Sequence, residues 1–429
     1  MKFYSTLDHS LSVSLKEAMF SGLAPEGGLY LPNKVPTLSK SFIDRLGDLR
    51  FVEIAETVAC HLLEGALPDE VIRNIVRDSF PFDVPLVNVE ENIYSLETYH
   101  GPTLSFKDFG ARFMARLFGY FLNEQQEPLH ILVATSGDTG SAVAQGFYQV
   151  PGIQVWVLYP KGKISEIQEK QITTMGGNIH ALEIEGVFDD CQSLVKTAFQ
   201  DEELRSRLHM TSANSINIAR LIPQSFYYFY AYGNLPKTDL PTVISVPSGN
   251  FGNLTGGLLA KRMGLPVHKF IAATNVNDIV PKYLESGVFE PKPSIHTLSN
   301  AMDVGDPSNF VRLLDLYGAD ISRIKGDVLG ASFNDDRTLD IIRDVEKRTG
   351  YVMDPHGAVG YLALKQYPEK CQGVFLETAH PAKFKDCVEQ ATGKAVEVPG
   401  RLQKCLNKQK VATSLPASYS ALKEVLTGL

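Results

Sequence analysis

The sequence predicts an α/β fold in which helices cover a parallel sheet, and three observations support it. His130 to Ala134 is a short apolar run of strand type. It enters the turn Thr135-Ser136-Gly137-Asp138-Thr139-Gly140, then a helical stretch from Ser141 to Tyr148, then a second apolar run at Ile153 to Leu158. This is a βαβ unit, whose crossover makes the strands parallel and lays a helix on the sheet. The grammar returns with a strand at Thr242 to Val246, the turn Pro247-Ser248-Gly249-Asn250-Phe251-Gly252-Asn253, a helix at Leu254 to Met263 and a strand at His268 to Ala273. Composition is the third observation. The 429 residues are 44% hydrophobic and 21% charged, with 34 Gly and 24 Pro, which excludes collagen, coiled coil and wholesale disorder.

At roughly 150 residues per domain the length implies two or three domains. Residues 1–85 mix helical stretches, such as Phe42 to Leu63, with a Gly/Pro-rich turn at Pro25 to Pro32. The run Pro81-Phe82-Asp83-Val84-Pro85 reads as a connector. Residues 86–400 carry the strand–turn–helix grammar, including a helical run from Phe113 to Leu122. Residues 401–429 form a tail with Lys404, Lys408 and Lys410 and an amphipathic stretch from Ala417 to Leu426.

Charge and cysteine usage narrow the class. Lys plus Arg number 41 against 49 for Asp plus Glu, a net charge of −8, so a nucleic-acid-coating surface is not expected. Five scattered cysteines (Cys60, Cys191, Cys371, Cys387, Cys405) form no C-x-x-C pair and read as reduced thiols, with no metal site. The first residues lack the unbroken apolar core of a secretory signal, and no apolar stretch reaches the length of a membrane span. A cytoplasmic protein with no membrane partner is expected.

The segment His100-Gly101-Pro102-Thr103-Leu104-Ser105-Phe106-Lys107-Asp108-Phe109-Gly110 is the most informative for chemistry. Most lysines are solvated surface groups, but Lys107 stands between aromatics. A lysine held against apolar walls loses solvation, its pKa falls, and it becomes a nucleophile or base. Those properties suit a Schiff base with pyridoxal phosphate. The turns Ser136–Gly140 and Ser248–Asn253 each join a strand to a helix, where backbone amides face an anion. Neither turn is a Walker A loop or a G-x-G-x-x-G fingerprint. Taken alone, each is equally a glycine-containing packing turn.

Together, S-F-K-D-F-G around Lys107, S-G-D-T-G, G-N-F-G-N, Lys161-Gly162-Lys163-Ile164-Ser165 and Thr378-Ala379-His380-Pro381-Ala382-Lys383-Phe384 resemble the threonine synthases. These belong to the fold-type II pyridoxal phosphate enzymes. The likeness spans nearly the whole chain. It implies two parallel or mixed-sheet lobes of tryptophan synthase β-like architecture, an N-terminal extension, and the cofactor pyridoxal 5'-phosphate between the lobes. By resemblance, Lys107 is the catalytic Schiff-base lysine, and Gly249, Asn250, Phe251, Gly252 and Asn253 cradle the cofactor phosphate. Thr378 faces the pyridine nitrogen, where a hydroxyl makes only a moderate electron sink.

Ser136, Gly137 and Thr139 match the turn that receives the substrate carboxylate. Asp138 lies beside the cofactor, where many relatives have Asn. A carboxylate there requires a proton or a nearby cation. The implied substrate is O-phosphohomoserine, with its phosphate gripped by Asn214, Ser215 and Arg220. Lys161 and Lys163 read equally as extra charge for that pocket or as surface groups. Asp354-Pro355-His356-Gly357-Ala358 and His380 are motif-like, but a lone histidine is more often structural, and neither is assigned to catalysis. The expected reaction yields threonine and phosphate. Alternatives are a related phospho-lyase releasing 2-ketobutyrate, a serine or threonine dehydratase, and a catalytically silent binding protein. A monomer or homodimer fits equally.

Overall fold

A computed structural model of the chain describes residues 1–122 and 127–428. Its larger sheet has six strands in the order Val328–Ser332, Lys269–Thr274, Thr242–Pro247, Gln372–Glu377, Ile93–Glu97, Leu86–Glu90. All neighbours are parallel except the terminal hairpin formed by Leu86–Glu90 and Ile93–Glu97. The smaller sheet is parallel throughout, in the order Thr413–Pro416, Ile179–Glu185, Ile153–Pro160, Leu129–Ala134, His209–Ser212. The central strands Thr242–Pro247, Gln372–Glu377 and Leu129–Ala134 are buried along their whole length. Helices on both faces explain why they read as unbroken apolar runs.

Both βαβ units expected from the sequence are present, with helices at Asp138–Phe147 and Gly252–Arg262. Each helix starts a few residues earlier than its apolar pattern. So does the helix Lys107–Leu122, which begins at the lysine itself. First-turn amides have no partner within the helix, so polar and glycine residues occupy those positions and the apolar periodicity sets in later.

Strand order reverses direction twice, and both reversals position residues of interest. In the larger sheet the chain runs outward from Thr242–Pro247, then returns to its other side as Gln372–Glu377. In the smaller sheet it runs outward from Leu129–Ala134 and returns as His209–Ser212. Ligands of open parallel sheets bind beyond the carboxyl ends of strands at such switch points.

The N-terminal segment opens with paired strands Phe3–Ser5 and Tyr30–Pro32. Its helix Asp69–Ser79 packs on the helix that starts at Lys107, and Phe51–Leu62 packs on Asp69–Ser79. The Phe51 and Phe109 rings meet edge to face at 5.6 Å, and Arg112 Nε donates to the carbonyl of Ser79 at 2.6 Å. At the other end, Thr413–Pro416 extends the smaller sheet, and Leu422 and Leu426 are fully buried. Among the described residues, no helix is long and apolar enough to cross a membrane.

Candidate active site

Lys107 is held by the loop that precedes it. Leu104 takes φ +58°, a region that L side chains rarely adopt, and its carbonyl accepts from the amide of His380 at 3.1 Å. The backbone amide and hydroxyl of Thr103 both donate to the Asp108 carboxylate at 2.8 Å. A Cβ on Gly101 would lie 2.4 Å from that carboxylate, so only glycine fits there. Burial pulls the Lys107 ammonium down to about 8, Asp138 opposes this, and Arg220 and Lys383 add to it. The side chain itself is half-buried, which leaves it reachable.

The turn after Thr242–Pro247 forms a cradle. Phe251 adopts φ +59°, and the amides of Gly249 through Gly252 donate to nothing within the described chain. They stand at the N-terminus of an 11-residue helix, where peptide dipoles favour an anion. Tyr227 and Tyr228 both donate to Asn253 Oδ1, at 2.5 and 2.6 Å, while its buried Nδ2 has no partner among the described residues.

The second turn lies at the switch of the smaller sheet. Gly137 has φ +133°, and a Cβ there would come within 2.4 Å of Gln168 Oε1. Its amide donates to Thr135 Oγ1 at 2.9 Å, whereas the amides of Ser136, Asp138 and Thr139 are unpaired among the described residues. The cation that Asp138 requires is Lys383, whose Nζ lies 2.7 Å from Asp138 Oδ1. Burial alone would push the Asp138 carboxyl up. The ammoniums of Lys383 and Lys107 outweigh it, and hydrogen bonds from Lys383 and Gln168 help hold the group below the usual carboxylate range.

Arg220 is buried, with Nη1 donating to the carbonyl of Ala213 at 2.8 Å and Nε without a partner among the described residues. Among the described residues no carboxylate pairs with it, and burial pulls its pKa down to about 10. It packs against Gly110 on the Lys107 helix, where a Cβ would meet its Nε at 3.2 Å. Asn214 Nδ2 donates to the carbonyl of Ala134 at 3.0 Å, while Asn250 Nδ2 donates to Ser215 Oγ at 2.6 Å. The cradle and the Asn214–Ser215 loop are therefore one hydrogen-bonded unit. Lys161 instead pairs with Glu185 at the surface, and Lys163 is exposed.

Thr378 ends the strand Gln372–Glu377, and its carbonyl accepts from the Phe106 amide at 2.8 Å. Behind it, Glu377 accepts from the Asp354 amide at 2.5 Å, and burial with the neighbouring Asp354 charge pushes its carboxyl well up. His356 Nε2 accepts from the Ala301 amide at 3.2 Å, so Nδ1 holds the proton facing Asp354 Oδ1 at 2.6 Å.

Lys383, Glu377, Asn309 and Arg312 were not singled out by sequence reasoning. Arg312 is fully buried and donates to the carbonyls of Tyr30, Ser215 and Ile216 at 3.0, 3.3 and 2.7 Å, and to Asn309 Oδ1 at 2.7 Å. Its role depends on carbonyls, which leave no trace in a motif. Lys383 had the same signal as Lys107, a lysine set among apolar and aromatic residues.

The residues present fit pyridoxal phosphate. A lysine with a lowered pKa, a cradle of amides unpaired among the described residues and the Asn253 side-chain amide without a partner among them suit an anionic, polar group. Known proteins agree. Residues 84–375 match the pyridoxal-phosphate dependent enzymes, 2–80 the threonine synthase N terminus and 357–426 the threonine synthase C-terminal family. Threonine synthase of Escherichia coli is 46% identical over 429 residues, covering 99% of each chain, and that of Haemophilus influenzae is 46% identical over 431. A crystal structure of threonine synthase from Escherichia coli superposes with a TM-score of 0.94, at 45% identity and full coverage of both chains. The pyridoxal-phosphate-bound threonine synthase of Brucella melitensis gives 0.92, at 36% identity over 99% of this chain and 98% of that one. The two sheets are thus those of a pyridoxal-phosphate-dependent lyase, and the chain belongs to the threonine synthase family.

Proposed function

We propose that this chain converts O-phospho-L-homoserine and water to L-threonine and phosphate, with Lys107 as the catalytic base. The observation that carries the reading is the buried guanidinium of Arg220 beside Lys107, which has no carboxylate partner among the described residues. A buried unpaired cation is costly until an anion meets it, and the planar fork suits a phosphate dianion.

Pyridoxal phosphate, when bound, supplies the electron sink that makes the substrate's α and β protons removable. The amides of residues 249–253 would hold its phosphate, and the Thr378 hydroxyl would serve its ring nitrogen. Lys107 would hold the cofactor through its side-chain amine, and that same amine, set beside the substrate, takes the α proton and then moves the β proton. With its ammonium near 8 it has both protonation states available at neutral pH. Arg220, Asn214 and Ser215 grip the substrate phosphate through its departure from the γ carbon. The unpaired amides of Ser136, Asp138 and Thr139 receive the substrate carboxylate, with Gly137 shaping the turn. The reading includes a cytoplasmic monomer or homodimer with no nucleic-acid partner, consistent with the net charge of −8.

The test is incubation with O-phosphohomoserine while phosphate and threonine are followed together. Equal release of the two is expected. Phosphate accompanied by 2-ketobutyrate, or turnover of unphosphorylated serine or threonine alone, overturns the reading.

A further inference from the structure

Lys383 is fully buried, yet the reaction described above gives it no task. It stands in the short 3-10 turn Pro381–Phe384, close behind Thr378. Its Nζ lies 2.7 Å from Asp138 Oδ1 and donates to the carbonyl of Thr103 at 2.9 Å. Thr103 in turn holds Asp108, the residue after Lys107. Gln168 Nε2 completes the site by donating to the same Asp138 oxygen at 2.9 Å. One ammonium therefore ties the Asp138 turn of the smaller sheet to the loop that carries the catalytic lysine.

We propose that Lys383 is a positioning residue: its buried ammonium neutralises Asp138 and so keeps that carboxylate from capturing the ammonium of Lys107. This rests on the reading of Lys107 as the Schiff-base lysine. The charged groups around Lys107 are few. Asp138 acts on it through its charge from the start of the helix Asp138–Phe147, Lys383 from the Pro381–Phe384 turn, and Arg220 from the helix Ile218–Leu221. Asp108 and Arg112 share its own helix. Burial raises the Asp108 carboxyl to about 6, and the Thr103 hydrogen bonds already occupy it. Arg112 is committed to the carbonyls of Asp78 and Ser79. Asp138 is thus the carboxylate with a claim on Lys107, and Lys383 is the cation that answers it. A lysine locked in a buried ion pair stays protonated and is no nucleophile.

The test is the pH dependence of pyridoxal phosphate capture by the full chain stripped of cofactor, which reads the free amine of Lys107. Wild type should inflect near pH 8. Lys383→Met should move the inflection up by roughly one unit or more, because Asp138 is left to pair with Lys107. Asp138→Asn should move it down, and the double variant should stay close to Asp138→Asn, because without that carboxylate Lys383 has nothing to neutralise. A Lys383→Met rise that persists undiminished in the Asp138→Asn background means direct repulsion and overturns the proposal. Lys383→Arg, which keeps the charge, should restore the wild-type inflection. If Lys383→Met does not fold, Lys383→Gln, which keeps a hydrogen-bond donor to Asp138 but not the charge, carries the same upward shift. Single variants whose inflections coincide with wild type, or that move in the same direction, overturn the proposal. Borohydride reduction and peptide mapping of each protein keep the two readings apart. A label on another lysine rejects the role of Lys107, whereas a label on Lys107 with unmoved inflections rejects only the role of Lys383.

Discussion

The amide of Phe106 donates to the carbonyl of Thr378 at 2.8 Å, and Ser105 bridges Ala379 beside it. These contacts join two segments more than half the chain apart in sequence. One ends in the lysine that opens a helix, and the other ends the strand Gln372–Glu377. A main-chain bond between them sets the lysine relative to the Thr378 hydroxyl with little freedom, since neither partner has a side-chain torsion in the link. Catalytic geometry of this kind depends on pre-positioning at the scale of an ångström.

The two cradle glycines should respond differently to substitution. A Cβ on Gly249 would lie 2.7 Å from the carbonyl of Ala301 and 2.8 Å from Met302 Cα, both backbone atoms. On Gly252 the nearest atom is Asn309 Nδ2 at an ordinary 3.6 Å. Gly249→Val should therefore sharply weaken pyridoxal phosphate retention, while Gly252→Ala should leave it close to wild type. Equilibrium dialysis of folded variants measures this. Equal retention by both would show that the turn is not shaped by the Ala301 contact.

Arg220→Ala should fold and hold cofactor but lose affinity for O-phosphohomoserine. The expected loss is roughly 1.5–3 kcal/mol, the range for a hydrogen bond to a charged group. Lysine should rescue only part of it, because an ammonium lacks the bidentate fork. Inorganic phosphate should compete with substrate in wild type and hardly touch the variant. Unchanged substrate affinity in Arg220→Ala would place the phosphate elsewhere.

Arg312 braces the Asn214–Ser215 loop, proposed above to grip the substrate phosphate, through the carbonyls of Ser215 and Ile216, and it reaches the N-terminal segment through Tyr30. Arg312→Met should raise KM for O-phosphohomoserine about tenfold, equivalent to roughly 1.4 kcal/mol, with a smaller change in kcat. Steady-state kinetics decide it. A fall in kcat at constant KM would contradict a role in holding the loop.

Glu377 has a carboxyl raised well above its ordinary value of 4.5 by burial and by Asp354. The folded state therefore keeps a proton that the unfolded chain releases. Wild-type stability is fully present below about 4.5 and declines as pH rises toward the folded value. Glu377→Gln mimics the protonated carboxyl and removes that slope. Its Tm should gain on wild type as the solution goes from about pH 5 to about pH 8. A constant difference in Tm across that range would mean that Glu377 is ionised in the fold.

The sequence by itself determined the two βαβ units and the class of chemistry. Apolar runs such as Ile153 to Leu158 announce buried parallel strands because both faces of such a strand are covered, and Lys107 is conspicuous because ammoniums seldom sit among aromatics. The turns Ser136–Gly140 and Ser248–Asn253 were legible for the same local reason: glycine between a strand and a helix exposes amides. Tertiary structure alone decided how these pieces meet. That Asp138 answers to Lys383, 245 positions away, and that Asn250 bonds Ser215 follow from which strands stand side by side at the switch points. Residues such as Arg312 act on backbone carbonyls, which every residue type carries alike, so no pattern of letters marks them. Local chemistry is written in residue types, whereas the pairing of charges across the fold is set by strand order.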